Sequence, residues 1–374
     1  MFSNNYFHDF CAFHLLKLTL KLSNMIFYLQ IVVRTSFFKQ LKLFLFLDAK
    51  CIFLGNPVTS ETINSFPTNC STVCANLVLD ETIDVTEEKL ALTFKNMRVL
   101  FGSLKVVSTS LSNGHFFSDL ETIECDLNGT FLWEENNLMT EIGMTNLTRC
   151  YCHIDINYNN DMKLLNLPNL KNFSSILPNN SDQQIIMNIY NMPIELCLSI
   201  AEATNFIINR NLYMKTLPRH FCNFTGDSIS SGKVCQFEEL TLKNMDSGCV
   251  IVCGNVTIEE EDEDFFYKLK NMQFLLGRLW IPGKPRSLNF SSNWEYGINL
   301  IHGFPLLSVT HNSVLETIVM PRLKGIQLRT PFWIELHNVN EKLKSLPNIV
   351  DPYMDFYNKT VKYCATFDGL DCCK

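Results

Sequence analysis

Three stretches of this chain occur twice, in the same order and at nearly one spacing, and no other feature restricts its fold as tightly. Cys70-Ser-Thr-Val-Cys74-Ala-Asn-Leu-Val-Leu79 matches Cys249-Val-Ile-Val-Cys253-Gly-Asn-Val-Thr-Ile258 at an offset of 179. Lys95-Asn-Met-Arg-Val-Leu-Phe-Gly102-Ser-Leu-Lys-Val106 matches Lys270-Asn-Met-Gln-Phe-Leu-Leu-Gly277-Arg-Leu-Trp-Ile281 at 175. Ile142-Gly-Met-Thr-Asn-Leu147 matches Ile318-Val-Met-Pro-Arg-Leu323 at 176. Ordered blocks at one offset identify a duplicated domain. A length of 374 residues holds two such copies with substantial cores.

Inside each copy, short segments carry two apolar residues in near alternation. They are Leu77/Leu79, Leu104/Val106, Leu120/Ile123, Leu167/Leu170 and Ile186/Ile189, then Val256/Ile258, Leu279/Ile281, Leu323/Ile326 and Ile334/Leu336. Asn136-Asn137, Asn191 and Asn338 stand beside them as corner residues, since asparagine tolerates the left-handed conformation. Such units cannot bury an apolar side alone, so stacking makes the core. The expected class is mainly β with short helices, as two right-handed β-helix solenoids with leucine-rich-repeat-like parallel sheets. The spacing is too irregular for a horseshoe, and a short, bent β-helix fits better. A helix signal opens each copy. Asp84-Val-Thr-Glu87 reads as a capping box before Lys89–Phe94. The acids Glu259–Asp264 precede Phe265–Leu269, where each offsets the helix dipole by about 0.3–1 kcal/mol. Consecutive acids on one helix lack the turn by which calcium loops converge on an ion.

Fifteen cysteines in one chain point to an oxidising, extracytoplasmic compartment. Setting Cys11 aside with a leader leaves fourteen disulfide candidates: Cys51, Cys70, Cys74, Cys125, Cys150, Cys152, Cys197, Cys222, Cys235, Cys249, Cys253, Cys364, Cys372 and Cys373. Cys51 lies nineteen residues before Cys70 as a staple at the start of the domain, and Cys222 and Cys235 clamp the segment between the copies. Connectivity is not legible from spacing. Zinc is disfavoured, because no histidine pair stands at ligand spacing near either Cys-x₃-Cys. Glycosylation sequons fall at Asn69, Asn128, Asn146, Asn172, Asn179, Asn223, Asn255, Asn289 and Asn358. Composition alone gives about five, so nine favours the secretory reading. Residues 1–55 read as a signal or targeting segment, or as a leader with Met25 as the true start. Their apolar runs are too short to span a bilayer, so membrane association would come only through an uncleaved N-terminus. A net charge of −7 argues against nucleic acid as partner.

The residues around the paired cysteines resemble the receptor L domain of insulin and EGF receptor ectodomains. The family's opening Cys-x-x-[Val/Ile]-x-Gly-x-[Leu/Val]-x-Ile is matched by Cys249–Ile258, and in the first copy by Cys70, Val73, Leu77 and Leu79, with Ala75 in place of glycine. Asn191-Met-Pro-Ile-Glu-Leu-Cys197-Leu-Ser199 is similar to the family's closing segment, which runs into a helix. Phe332–Leu343 keeps the closing strand and lacks the cysteine. The resemblance implies a leader (1–55), a first L domain (56–205), a connector holding Cys222 and Cys235 (206–248), a second L domain (249–345) and a cysteine-bearing tail (346–374). The connector is too poor in cysteine for a furin-like module, and no kinase motif occurs. The chain thus resembles the kinase-less L-domain proteins of the kind expanded in nematodes.

Nothing in the pattern supports catalysis or a cofactor. His153, His302, His311 and His337 read as surface residues beside strands, and Asp126, Glu134, Glu135 and Glu141 show no stacked period. No nucleophile elbow or phosphate-cradling glycine cluster appears. Binding is the expectation. Val78, Lys105, Trp280 and Glu335 fall on the outer side of the alternation, and Trp280 and Trp333 are the candidate anchors of a binding face. The implied role is non-catalytic binding of a peptide ligand or receptor ectodomain, as a secreted or cell-surface decoy or modulator of insulin-like or EGF-like signalling. The competing role is adhesion or matrix binding of protein or carbohydrate.

Overall fold

The computed structural model describes residues 49–125, 129–175, 184–224, 226, 228–237, 242–286, 288, 293–316, 318, 320, 322–329, 332–343, 364–367 and 370–371. The leader at 1–48, Asp126 and nearly all of the tail lie outside the described residues, as do sequons Asn128, Asn179, Asn289 and Asn358 and the cysteines Cys372 and Cys373. The chain divides into two compact units, one of residues 1–195 and 211–215, the other of 196–210 and 216–374. Both are mainly β, with parallel sheets.

The first unit contains β1 (Thr72–Cys74), β2 (Leu77–Leu79), β3 (Val99–Phe101), β4 (Leu104–Val107), β5 (Thr122–Glu124), β6 (Thr130–Glu134), β7 (Arg149–Tyr151), β8 (His153–Asn157) and β9 (Ile185–Tyr190). β10 (Cys197–Leu198) belongs to the second unit and intervenes before β11 (Leu212–Thr216). One sheet has the order β1-β3-β5-β7 and the other β2-β4-β6-β8-β9-β11, so from β1 to β8 the chain visits the two sheets alternately. Pairings from β1 through β9 are parallel. Parallel pairing requires a long return path between neighbours, and about one pass of chain supplies it each time. Register follows burial. Val73, Leu100, Ile123 and Cys150 form one inward row, and Leu77, Leu104, Phe131, Ile154 and Met187 another. All nine side chains are buried. Along β2, β4, β6 and β9 buried side chains alternate with half-buried or exposed ones.

The alternation had to survive two irregularities that hide it in the sequence. Leu167/Leu170 is a turn, with both side chains in the core. β9 turns Ile185, Met187 and Ile189 inward and leaves Ile186 exposed, one residue out of the expected phase. β6 and β8 escape notice because Leu132 and Asn157 interrupt the apolar-polar pattern.

Corners close each strand. Ser108, Glu135, Tyr158 and Asn191 directly follow β4, β6, β8 and β9, and all have φ between 50 and 55°. The left-handed region costs a non-glycine residue roughly 1–2 kcal/mol, so something must offset it. Buried asparagines do so. Asn136 receives hydrogen bonds on Oδ1 from Thr109 N at 3.0 Å and Thr109 Oγ1 at 2.7 Å, and donates through Nδ2 to Val106 O at 2.8 Å. Asn159, one pass later, accepts from Asn136 N at 2.9 Å and donates to Trp133 O at 2.9 Å. The corner expected at Asn136-Asn137 is therefore one residue earlier, at Glu135, because Asn136 is used inside. At the opposite corner Gly102 has φ 129°, and a Cβ there would stand 2.1 Å from Ala75 O.

Helix α1 (Glu87–Phe94) is capped by Thr86, whose side chain accepts from Lys89 N at 3.3 Å. The cap expected at Asp84 is two residues late because Asp84 accepts from Ser60 N and Ser60 Oγ, both at 2.6 Å. Phe94 joins α1 to the core through a chain of rings, Phe53–Phe66–Phe94–Phe117, at centroid separations of 5.2, 4.9 and 4.8 Å.

The second unit repeats the scheme with β10, β12 (His220–Phe221), β13 (Ser228–Ile229), β14 (Gly232–Gln236), β15 (Ile251–Cys253), β16 (Val256–Thr257), β17 (Phe274–Leu276), β18 (Leu279–Ile281), β19 (Tyr296–Asn299), β20 (Leu307–Thr310), β21 (Gly325–Leu328), β22 (Phe332–His337), β23 (Cys364–Phe367) and β24 (Leu370–Asp371). Two six-stranded sheets run β13-β14-β15-β17-β19-β21 and β16-β18-β20-β22-β23-β24, beside the pair β10-β12. Helix α2 (Ile200–Ile207), opened by a Ser199–Glu202 capping box, belongs to this unit rather than to the end of the first domain. Its Ile207 carbonyl lies 3.3 Å from where a Cβ on Gly325 would stand, so the helix closes against β21. The acidic run forms the start of a 3-10 helix, Glu260–Leu269, instead of preceding it. Asp262 is buried, accepting from Glu259 N and Leu242 N, both at 3.1 Å.

Among the described residues, four disulfides join Cys51–Cys70, Cys125–Cys152, Cys197–Cys222 and Cys235–Cys249. The first and last are equivalent. In each copy the cysteine before the first strand is tied back to the preceding segment, and the next amide repeats the same bond, Phe53 N to Cys74 O at 3.0 Å and Phe237 N to Cys253 O at 2.7 Å. The duplication therefore starts one segment earlier than the matched blocks. Cys222 and Cys235 do secure the connector, at separate ends. Among the described residues, two disulfide candidates are free thiols, Cys150 and Cys253. Cys150 fills an apolar row position next to Ile123, and Cys253 stands between Gln236 and Leu276, so neither meets a second sulfur across its strand pairs. Cys74, the counterpart of Cys253, is disulfide-bonded.

Burial pushes the Cys253 thiol up to about 11 and Cys150 to about 12. The thiolate is the reactive form, so native protein at pH 8 reacts slowly at both, and Cys253 alkylation rises about tenfold per pH unit toward its pKa. After denaturation without reductant, peptide mapping recovers both labelled, while Cys74 and the eight cysteines of the four bridges label only after reduction. Replacing Asn136 by Ala strands several buried partners and is expected to cost about 2–4 kcal/mol in urea unfolding, against less than about 0.5 for exposed Asn137→Ala.

Candidate functional site

The side chains left outside by the strand alternation form one face on each unit. On the first, Val78, Lys105, Leu132, Asp155 and Asn188 lie in register across β2, β4, β6, β8 and β9. All five are half-buried. A second row holds Val107, Glu134, Asn157 and Tyr190. Asn188 Nδ2 donates to Asp155 Oδ1 at 3.0 Å, and the ring of Tyr158, on its left-handed corner, meets Tyr190 edge-on at 6.2 Å. Partial burial pushes the Tyr190 phenol up, and the carboxylates of Asp155 and Glu134 add to the shift. This face is acidic and aromatic. The Asn157 side chain is buried beneath it with Oδ1 unpaired.

On the second unit the outward row is Thr257, Trp280, Ser308 and Glu335. Trp280 and Glu335 are half-buried, as are Val78 and Lys105, so all four sequence-assigned outward residues stand on the outer side. Thr257 and Ser308 are buried despite their outward register. The Arg278 guanidinium lies 5.5 Å from the Trp280 ring centre and 4.6 Å from that of Phe304. Trp333 falls in β22, but its side chain lies outside the described residues, as do the side chains of Cys364 and its strand. His302, His311 and His337 are exposed, and His153 is half-buried with Nδ1 accepting from Ile186 N at 3.1 Å. Arg278 and Phe304 have no signal in a single sequence, because the turn carrying Phe304 comes into reach only when β18 and β20 pair.

Glu134 and Glu135 are neighbours on the strand and its corner, while Glu141 pairs with His115 Nε2 at 2.9 Å, so these carboxylates do not converge. No group of three metal-ligating side chains occurs among the described residues, and no helix among them is long and apolar enough to cross a membrane. No protein-family model matches the chain, and no curated protein sequence matches it.

Five sequons are described. Asn69, Asn146, Asn223 and Asn255 are exposed, whereas Asn172 is half-buried with Oδ1 held by Ser174 N and Ser174 Oγ at 3.0 and 2.7 Å. In protein exported by a secretory host, the four exposed asparagines are expected to carry glycans and Asn172 to be the least occupied, read by mass spectrometry of deglycosylated peptides.

Proposed function

We propose that this chain is a non-catalytic extracellular binding protein with two tandem, L-domain-like β-helical units, and that its partner is a peptide ligand or a receptor ectodomain. The observation that carries this reading is the outer face of the first unit's six-stranded sheet. There Leu132, Asp155, Glu134, Tyr190 and Tyr158 offer apolar, acidic and aromatic contacts side by side on a backbone fixed by parallel pairing. A rigid face of this mixture loses little entropy on association, and its aromatic residues are of the type that dominates interface energies. The repeated bridges Cys51–Cys70 and Cys235–Cys249, with exposed sequons in both units, support an extracellular setting. On this reading the chain acts as a decoy or modulator of insulin-like or EGF-like signals.

Immobilised chain is expected to capture insulin-like or EGF-like peptides in a biosensor. A Leu132→Ala/Tyr190→Ala double variant should weaken capture at least about tenfold, while Leu92→Ala, on the exposed side of α1, should not. Retention on glycans or cell surfaces with no peptide capture would overturn this reading in favour of an adhesive role.

A further inference from the structure

The two copies differ at one position in a way that the fold does not require. Ser103 in the first unit is buried and satisfied, since its N and Oγ both donate to Asn76 Oδ1 at 2.8 Å. Its counterpart 175 residues on is Arg278. The backbone task is the same in both, as Leu77 N donates to Ser103 O at 2.9 Å and Val256 N to Arg278 O at 2.8 Å. The guanidinium adds nothing to that bond. It is instead held against two aromatic rings, with its Nε buried and lacking any hydrogen-bond partner.

A buried donor left unpaired is costly, and a charged one more so. Native structures seldom retain one without a use. The Glu335 carboxylate acts on Arg278 through its charge but forms no ion pair with it, and its Oε2 accepts from Ser308 Oγ at 3.1 Å. Desolvation lowers the Arg278 pKa from its usual range, as expected of a cation short of counter-charge. Phe304 is 47% exposed, so the ring that covers one side of the guanidinium also offers apolar surface to solvent.

We propose that Arg278, Trp280 and Phe304 form the anchor for a side-chain carboxylate on an acidic peptide segment of the binding partner. The inference rests on the peptide-binding reading above and specifies its chemistry on the second unit. A planar guanidinium takes a carboxylate through two parallel N–H donors, and pre-stacking on Trp280 and Phe304 fixes the fork before the ligand arrives. An apolar residue beside the acid packs on Phe304. The nearby charge of Glu335 disfavours a dianion and leaves a single carboxylate as the matching group.

Short fluorescein-labelled peptides with a central Leu-Glu-Phe, and the same peptides with Gln or Lys in place of Glu, test this by anisotropy with the full chain at low salt. The glutamate peptide is expected to bind about tenfold tighter than the glutamine peptide, and the lysine peptide not at all. Arg278→Gln abolishes the preference, and Arg278→Lys restores it only in part, because ammonium lacks the planar fork. Denaturant midpoints of both variants establish that they are folded. Equal binding of glutamate and glutamine peptides, undiminished binding by the Arg278→Gln protein, or no binding of any peptide would overturn the assignment. Capture of insulin-like or EGF-like peptides by Arg278→Gln at wild-type strength would leave the broader reading standing while this one fails.

Discussion

Each strand of this protein is too short to bury much surface, so everything depends on turning the chain sharply and stacking the next pass in register. The corner after β4, β6, β8 and β9 is where that is decided. A left-handed residue turns the chain, and after β4, β6 and β8 the threonine or asparagine behind it, Thr109, Asn136 or Asn159, enters the interior to bond the neighbouring pass. Asn136 and Asn159 each connect the passes on either side, so a buried polar ladder runs along a mainly apolar core. Every member is bonded, which is what makes such a ladder stabilising rather than costly. The second unit has a related device at Asn312, behind the left-handed His311: Nδ2 donates to Pro285 O on the neighbouring pass at 3.3 Å, and Oδ1 accepts from Val314 N and Leu315 N at 2.9 and 2.7 Å.

With the corners fixed, duplication left room for divergence elsewhere. Gly254 has φ 127°, and its carbonyl stands 2.0 Å from where a Cβ on Gly277 would be. The first copy meets the same approach between Ala75 and Gly102, and Ala75 is tolerated because its own φ is not positive. Cys70 and Cys249 keep equivalent bridges, yet Cys253 is a free thiol where Cys74 is bonded. The α1 helix of the first copy becomes a 3-10 helix in the second, with Asp262 turned inward to bond the amide of Leu242. Positions that close the backbone are shared, and those that only decorate it have drifted. Ser103 and Arg278 are the sharpest case.

The outer faces follow from the same geometry. The main inward rows of the first unit are apolar because parallel register stacks like on like, and the outward rows carry less of the packing. Hence one unit presents acids and tyrosines while the other presents an arginine clasped by aromatic rings. Strand alternation made Val78, Lys105, Trp280 and Glu335 legible as outward residues without a structure. Leu132, Tyr190, Arg278 and Phe304 were not legible, since each belongs to its face through cross-strand register or a loop, and neither leaves a trace in a single sequence.

The sequence by itself determined the duplication, the mainly β class and the start of α1 to within two residues, because these depend on local pattern and on near neighbours along the chain. Tertiary structure alone decided which cysteines remain thiols, which residue at each corner goes inward, the membership of α2 in the second unit, and the company Arg278 keeps. Each of those rests on which passes of chain lie side by side, and a short strand of two or three alternating residues does not specify its neighbour until the whole stack has formed.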